Sequence, residues 1–439
     1  MNTSENKPGR DRQQPSTRSL RGLDALNFFL ADVRDGLGPY LAIYLISVRG
    51  PGQGWDEQTT GFVMTIAGIS GLIAQTPAGA LIDRTRHKRA VVIAAAVAVT
   101  LSCLTLPFIG NFYAVVATQS LAGIAGAIFP PALAALTLGI VGPKMFSKRI
   151  GRNEAFNHGG NAVSATIAGV TAYFFGPIVV FWLMAALAVA SIGAMLIVPA
   201  EAIDDEMARG LDDTKEAHEQ PSGVTALLQN KFLLLFAVLV ALFHLSNAAM
   251  LTSVGQLLTR TVGKEYATTL VAVCIVAAQL VMVPVAMIVG AKADVWGRKP
   301  IFLAAFGVLA ARGVLYTVSD NPFWLVAVQC LDGIGAGIYG ALFAIVVADL
   351  TRGTGRFNVS QGAIGTAQGL GAALSASLAG FIIVSASYST AFLTLAAIAG
   401  AGFALYLFAM PETLGFKPPG AKPSSGPQPE STTAVAPAA

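Results

Sequence analysis

The sequence predicts an all-α membrane protein: twelve transmembrane helices in two pseudo-symmetric six-helix bundles. Three observations carry this reading. Charged residues make up 12% of the chain and apolar residues 54%, whereas a soluble domain averages about 25% charged residues. Apolar stretches of roughly 18–28 residues recur with little polar sequence between them, long enough to cross a bilayer. A pattern of glycine, aspartate and basic residues occurs twice, about 211 positions apart: Gly79-Ala-Leu-Ile-Asp83-Arg84-Thr-Arg86-His-Lys88-Arg89 and Gly290-Ala-Lys-Ala-Asp294-Val-Trp-Gly297-Arg298-Lys299-Pro300.

Taken in order, the apolar runs place helices over 23–48, 59–82, 90–108, 113–141, 153–176 and 178–199 in the first half. The second half reads 230–258, 267–291, 301–318, 322–349, 359–384 and 389–410. Each charged motif falls between the second and third helix of its half, as a tight hairpin. Connections on the other face are very short, such as Gly110-Asn111 and Ser319-Asp320-Asn321, which leaves little room for a soluble catalytic module. The organisation expected is a disordered N-tail (1–21), a first bundle (22–199), an acidic linker (200–229), a second bundle (230–410) and a disordered C-tail (411–439). The linker holds eight acids and two bases; a solvated charge run and a short surface helix both fit it.

The repeat extends beyond the loops. Gln119-Ser-Leu121-Ala-Gly123-Ile124 aligns with Gln329-Cys-Leu331-Asp-Gly333-Ile334, and Gly151-Arg152 resembles Gly355-Arg356. Basic residues give the orientation. Twenty-two Lys and Arg fall in the tails and in the loops on the motif side, against three (Arg49, Arg260 and Lys264) on the other. By the positive-inside rule both termini are cytoplasmic. The net charge of +4 therefore reflects topology, and nucleic acid is not implied. Cys103, Cys274 and Cys330 all fall inside helices, without disulfide or metal spacing.

Parallel six-helix halves with this loop resemble the major facilitator superfamily, whose hallmark is Gly-x-Leu-x-Asp-Arg-x-Gly-Arg-Lys. Gly79, Leu81, Asp83, Arg84, Lys88 and Arg89 match in the first copy, where Arg86 replaces the second glycine. Gly290, Asp294, Gly297, Arg298 and Lys299 match in the second, where Lys292 and Val295 depart. The resemblance implies a secondary transporter that rocks two halves about a midplane site. It also implies that these loop residues, with Asp349, Arg352 and Arg356, latch the halves on the cytoplasmic side. A purely topogenic role for the loop charges is the other reading. Gln119 stands where drug/proton antiporters of the family carry an arginine, and the fifth helix lacks their Gly-Pro pair. Pro411-Glu412-Thr413 resembles the sugar-porter ending.

The first helix carries charge that a bilayer penalises. Three embedded charges cost roughly 8–10 kcal/mol on insertion scales, while its twelve Leu, Ile, Phe and Val residues return about 4–7. Asn27, Arg34, Asp24, Asp35 and Asp32 share one arc of roughly 160° at 100° per residue. Asp32 lies near mid-membrane. Burial and Arg34 act on its carboxyl in opposite senses, the arrangement that reversible protonation needs. Proton coupling or substrate contact by Asp32, Asp35 and Arg34 is one reading, and a permanently satisfied ion pair is the other. Asp24 reads as a dipole-complementing end charge.

The symmetry-related seventh helix offers His244 and Asn247, His244 as a proton carrier or an ordinary hydrogen-bonded histidine. Asp332 and Arg312 share a depth at which they can pair. Gln119, Asn157, His158, Asn161, Gln329, Gln361 and Gln368 add polar groups, to the cavity wall or between helices. The expectation is a monomeric transporter in a bacterial inner membrane. Its partners are the bilayer and a small organic solute. It needs no cofactor beyond an ion gradient, with protons the expected ion. Export is the first direction considered; proton-coupled uptake of a polar metabolite, or a transport-dead sensor, are the alternatives. An enzyme is not expected, since no Ser/His/Asp set, metal cluster or phosphate-cradling loop is evident.

Overall fold

A computed structural model describes residues 15–34, 41, 44–49, 54–176, 178–211, 228 and 230–416. The expected disorder of 1–14 and 417–439, most of the linker, and Asp35 lie outside the described residues. Among the described residues the regular structure is helical throughout. The helices are α1 Thr17–Arg34, α2 Glu57–Arg84, α3 Lys88–Leu104, α4 Phe112–Gly126, α5 Phe129–Phe175 and α6 Val179–Ile197. The second half contributes α7 Lys231–Val262, α8 Lys264–Trp296, α9 Arg298–Leu315, α10 Pro322–Thr351, α11 Phe357–Ser385 and α12 Tyr388–Ala409.

The long α5 is two arms. Gly142 has a φ of 68°, a conformation open to glycine, and Pro143 follows it. Asn153 Nδ2 donates to Thr137 Oγ1 at 2.7 Å, although sixteen residues of straight helix would separate them by about 24 Å. The chain therefore doubles back at Gly142: residues 129–141 finish the fourth pass and 143–175 make the fifth. Nine stretches among the described residues are long and apolar enough to cross a membrane, and Phe112–Phe175 is one of them. α1 and α9 stand outside that set because of their charges, yet α1 packs on α5 and α6, and α9 on α10 and α12.

Short polar residues end the helices sharply. Asn111, Asn321 and Ser387 cap α4, α10 and α12, each accepting from backbone N–H groups of the first turn, a contribution of about 1 kcal/mol each. Two apolar cores result. One gathers Leu26 through Met195, with Ala208. The other runs from Leu233 to Met410 and takes in Ala134, Leu138, Phe146 and Ile150 of α5. Its centre is aromatic: Phe243 stacks on Tyr339 at 5.3 Å and Phe302 on Tyr406 at 5.1 Å.

Several boundaries differ from expectation, each for a packing reason. α1 begins at Thr17, inside the presumed N-tail, because Arg18 Nε donates to the carbonyl of Ile197 at 3.0 Å. α8 and α9 run through the second motif, so Asp294 and Arg298 are helical and only Gly297 forms the turn. The linker is not a solvated run over 200–211. Met207 and Ala208 are buried there, and Asp204 N–H donates to the Gly139 carbonyl at 3.1 Å. Residues 411–416 also dock, with Thr413 fully buried.

Close approach of α1 and α5 depends on Gly160, where a Cβ would stand 2.1 Å from the carbonyl oxygen of Phe28. Gly160→Val is expected to destabilise the first bundle by about 1–3 kcal/mol through overpacking, read as a lowered Tm in detergent. Gly159→Ala, where a Cβ meets nothing within 4 Å, is expected to leave Tm unchanged or raise it.

Candidate functional site

On the face that carries the basic motifs, the two bundles are joined. Asp83, at the end of α2, is fully buried. Its carboxylate accepts from Val359 N–H at 2.8 Å, Asn358 N–H at 3.3 Å and Asn358 Nδ2 at 2.8 Å. These are first-turn groups of α11, whose N–H bonds have no intrahelical acceptor and whose dipole favours an anion. Gly79 permits the approach, since a Cβ there would lie 2.2 Å from the Asn358 carbonyl oxygen. Asn358 Nδ2 also donates to Ala208 of the linker at 2.8 Å, and Lys88 pairs with Asp205 at 2.7 Å. Arg84 is exposed and Arg89 half-buried.

The second motif repeats this closure with different partners. Gly290 meets Gly151, where a Cβ on either glycine would stand 2.5–2.6 Å from the other's Cα. Asp294 accepts from Ser147 Oγ at 2.9 Å and pairs with Arg298 at 2.7 Å. The buried Arg298 also donates through Nε to Asp349 at 3.0 Å. Arg352 is exposed beside them and Arg356 half-buried.

Glu412, which belongs to no predicted site, caps α9. It accepts from the backbone N–H of Arg298 at 2.9 Å and of Lys299 at 3.0 Å, while Thr413 donates to Asp349 at 3.3 Å. Gly297, with a φ of 83°, leaves room for the glutamate. Burial opposes the Glu412 charge, but the N–H donors outweigh it and hold the carboxyl below the usual carboxylate range.

Away from that face the fifth pass and α8 remain packed across the halves, with His158 Nδ1 2.8 Å from the Gln279 amide oxygen. α2 and α11 stay in contact from Asp83 and Val359 as far as Leu72 and Gly369. Alongside this contact, with Leu72, Gln75, Gly362 and Gly369 in its wall, lies a cavity of about 740 Å³, lined by α1, α2, α4, α5, α10 and α11. Arg34, Gln75, Gln119, Gln361 and Gln368 supply its polar groups against glycine, alanine and leucine walls. Asp32 is half-buried on α1, two residues from Arg34.

The other candidates lie elsewhere. Asn27 is buried and turns Nδ2 to its own helix, at the Leu23 carbonyl, 2.8 Å away. Asp24 is not an end charge: it lies two turns into α1 and bridges to Arg149 at 2.7 Å and Arg152 at 2.8 Å. His244 donates through Nδ1 to the Val240 carbonyl, 3.0 Å away, with its ring 4.6 Å from Tyr339, inside the aromatic core. Asn157 Nδ2 donates to Glu154 at 3.4 Å and Asn161 is half-buried nearby. Arg312 is buried and pairs with Asp332 and, at 2.7 Å, with Asn247 Oδ1. Gln329 completes that network, donating to Asp332 at 3.1 Å and accepting from Tyr316. The network is internal to the second bundle and contributes nothing to the cavity lining given above.

Sequence reasoning passed over Glu412, Glu154, Gln75, Arg149 and Ser147. For Glu154 the signal was present, an acid one turn before His158 inside the helix expected over 153–176; for Ser147 none existed.

Three outcomes are expected. Glu412→Ala loses the α9 cap, about 0.5–2 kcal/mol before allowance for its partial exposure, read as a lower Tm at pH 7. Because the folded carboxyl titrates lower than the unfolded one, this contribution is present above the unfolded value of about 4.3. It disappears as pH falls through the folded value, so the Tm gap to wild type closes in acid. Arg312→Ala strands the half-buried Asp332 carboxylate and costs up to about 3–5 kcal/mol, whereas an Arg312→Met, Asp332→Leu pair recovers most of it, by the same measurement.

A model of the Major Facilitator Superfamily matches residues 23–311 and 240–438. The chain is 56% identical over 398 residues to an uncharacterized MFS-type transporter of Mycobacterium tuberculosis, covering 90% of this chain and 94% of the relative. Over 160 residues it is 27% identical to the multidrug transporter protein MdtP of Bacillus subtilis, spanning 36% of this chain and 29% of that one. The human organic anion transporter MFSD10 (TETRAN) shares the fold with a TM-score of 0.66 at 16% identity, covering 90% of this chain and all of that one. The proton:xylose symporter XylE does so with 0.69 at 13% identity, covering 90% and 96%. The inter-half closure, the duplicated motif and these likenesses agree: the chain belongs to the Major Facilitator Superfamily.

Proposed function

We propose that the protein exports a small, amphiphilic organic solute by alternating access, driven by inward proton flow, from the inner membrane of a bacterium with both termini cytoplasmic. The observation that carries this reading is the cavity beyond the sealed basic face. A volume of about 740 Å³ suits a drug-sized ligand, and its apolar wall with a few amides and Arg34 suits an amphiphile. A seal on one side with a cavity beyond it is one end state of a rocking transporter, open toward the periplasm in this orientation. The partial likeness to a multidrug transporter favours export.

In this reading Asp32 and Asp35 carry the transported proton. Arg34, on the cavity wall, sets the charge balance of α1 and attracts an anionic group of the solute. Asp83 with the start of α11, and Asp294 with Ser147, are the cytoplasmic seal. They break together when the bundles rock.

Proteoliposomes with an imposed pH gradient test this, with lipophilic cationic and anionic dyes as probes. Gradient-driven dye movement is expected in wild type and a loss of about tenfold or more in Asp32→Asn. Equal gradient-driven rates in wild type, Asp32→Asn and Asp35→Asn would sink the coupling assignment. Asp83→Asn weakens the seal and is expected to raise reactivity of a cysteine introduced at Gln75 toward a cytoplasmic thiol reagent.

A further inference from the structure

The seal holds one more titratable pair, which neither the motif nor α1 accounts for. His158, in the middle of the fifth pass, faces Gln279 of α8 across the boundary between the bundles, with Nδ1 2.8 Å from the amide oxygen. With that oxygen as acceptor, Nδ1 carries the hydrogen and Nε2 is left toward its own helix. One turn earlier stands Glu154, whose carboxylate lies 3.9 Å from His158 Nε2. The same carboxylate abuts α10 of the other bundle: a Cβ on Gly340 would stand 3.3 Å from it. A glutamate and a histidine are thus held together by both halves at a contact that must part when the basic face opens.

We propose that Glu154 and His158 form a second proton-binding site of the transporter, placed in the seal rather than in the cavity, and that its proton holds the basic face shut. This rests on the alternating-access reading above.

The chemistry is one of charge. With one proton between them, carboxyl and imidazole are net neutral, either as acid and base or as an ion pair, and suit a closed helix interface. Without it the interface encloses a net negative charge, which is costly to bury. Opening parts His158 from Gln279 and Glu154 from α10. Water then solvates a bare carboxylate beside a neutral imidazole, and the proton leaves to the cytoplasm. The closed state binds more protons than the open one, so falling pH favours closure.

The neighbouring charges are otherwise engaged. On the same helix Arg149 and Arg152 are committed to Asp24 of α1, and Asn157 donates to Glu154. On α8, Asp294 is held by Arg298, with Lys292 exposed nearby; on α10, Asp332 is held by Arg312 and Asp349 by Arg298. α2 and α3 bring Asp83, Arg84, Lys88 and Arg89 only at the basic face, and the linker brings Asp204, Asp205, Glu206 and Arg209 there. α6 and α11 carry no titratable side chain. Asp32 and Arg34 of α1 are the remaining pair at comparable depth, and they are the reason for the controls below.

The test is the distance between spin labels at His87→Cys and Val295→Cys, exposed positions at the basic face of each half, with the three native cysteines replaced by alanine. The protein is studied in lipid nanodiscs between about pH 5.5 and 8.5, where a histidine changes charge. In the parent the closed-to-open ratio is expected to fall with rising pH, by up to about tenfold per unit, the limit for one linked proton. Glu154→Gln should cut that slope to below about half. His158→Asn, which keeps an amide for Gln279, should do the same and serves if Glu154→Gln fails to fold.

Gln279→Ala removes the bond across the boundary but no titrating group, so it should lower the ratio at every pH and keep the slope. A merely structural role for Glu154 would give the Gln279→Ala pattern. A ratio independent of pH in the parent, or full slope in both Glu154→Gln and His158→Asn, overturns the proposal. If that happens while Asp32→Asn still abolishes gradient-driven dye transport, the coupling reading survives and the second site does not.

Discussion

A buried carboxylate on the first turn of a facing helix is the interaction on which the closed molecule depends. Asp83 gathers two backbone N–H groups and one amide from α11. The same contact brings in the linker, because Asn358 bonds both Asp83 and Ala208. The helix start needs an anion and the aspartate needs donors, so each satisfies a group that would otherwise be costly to bury. Glycine is required at Gly79, Gly151 and Gly290, where the crossing helices meet backbone to backbone.

The duplicated halves use this device unequally. In the first motif the aspartate takes backbone donors directly. In the second, Asp294 reaches only a serine hydroxyl, and Arg298 and Asp349 supply the rest. The C-terminal segment compensates, since Glu412 satisfies the α9 start that follows Gly297. The interior is divided in a similar way. The second bundle buries its charges in a closed Arg312–Asp332–Asn247 network beneath an aromatic core, whereas the first leaves Arg34 on the cavity wall.

Much of the fold was legible because membrane burial leaves a coarse signature. Apolar length, the doubled motif and the basic-face bias are properties of local sequence, and the family and the all-helical fold follow from them. The elements hardest to read were those in which short polar residues act at long range. Asp24 has the look of an end charge until Arg149 and Arg152 arrive from the fifth pass. His244 and Asn247 sit at symmetry-related positions, but one lies among aromatic rings and the other holds Arg312. An acidic linker has the composition of solvated chain, and nothing local reveals that Met207 and Ala208 are buried under both bundles.

The sequence by itself determined the membrane class, the duplication and which residues bear charge, because hydropathy and repeat spacing act along the chain. Only the tertiary structure decided which of those charges meet. Partners such as Asp83 with Val359, or His158 with Gln279, are more than a hundred residues apart. Their pairing depends on how two bundles cross, a geometry set by glycine contacts and helix packing rather than by any local pattern.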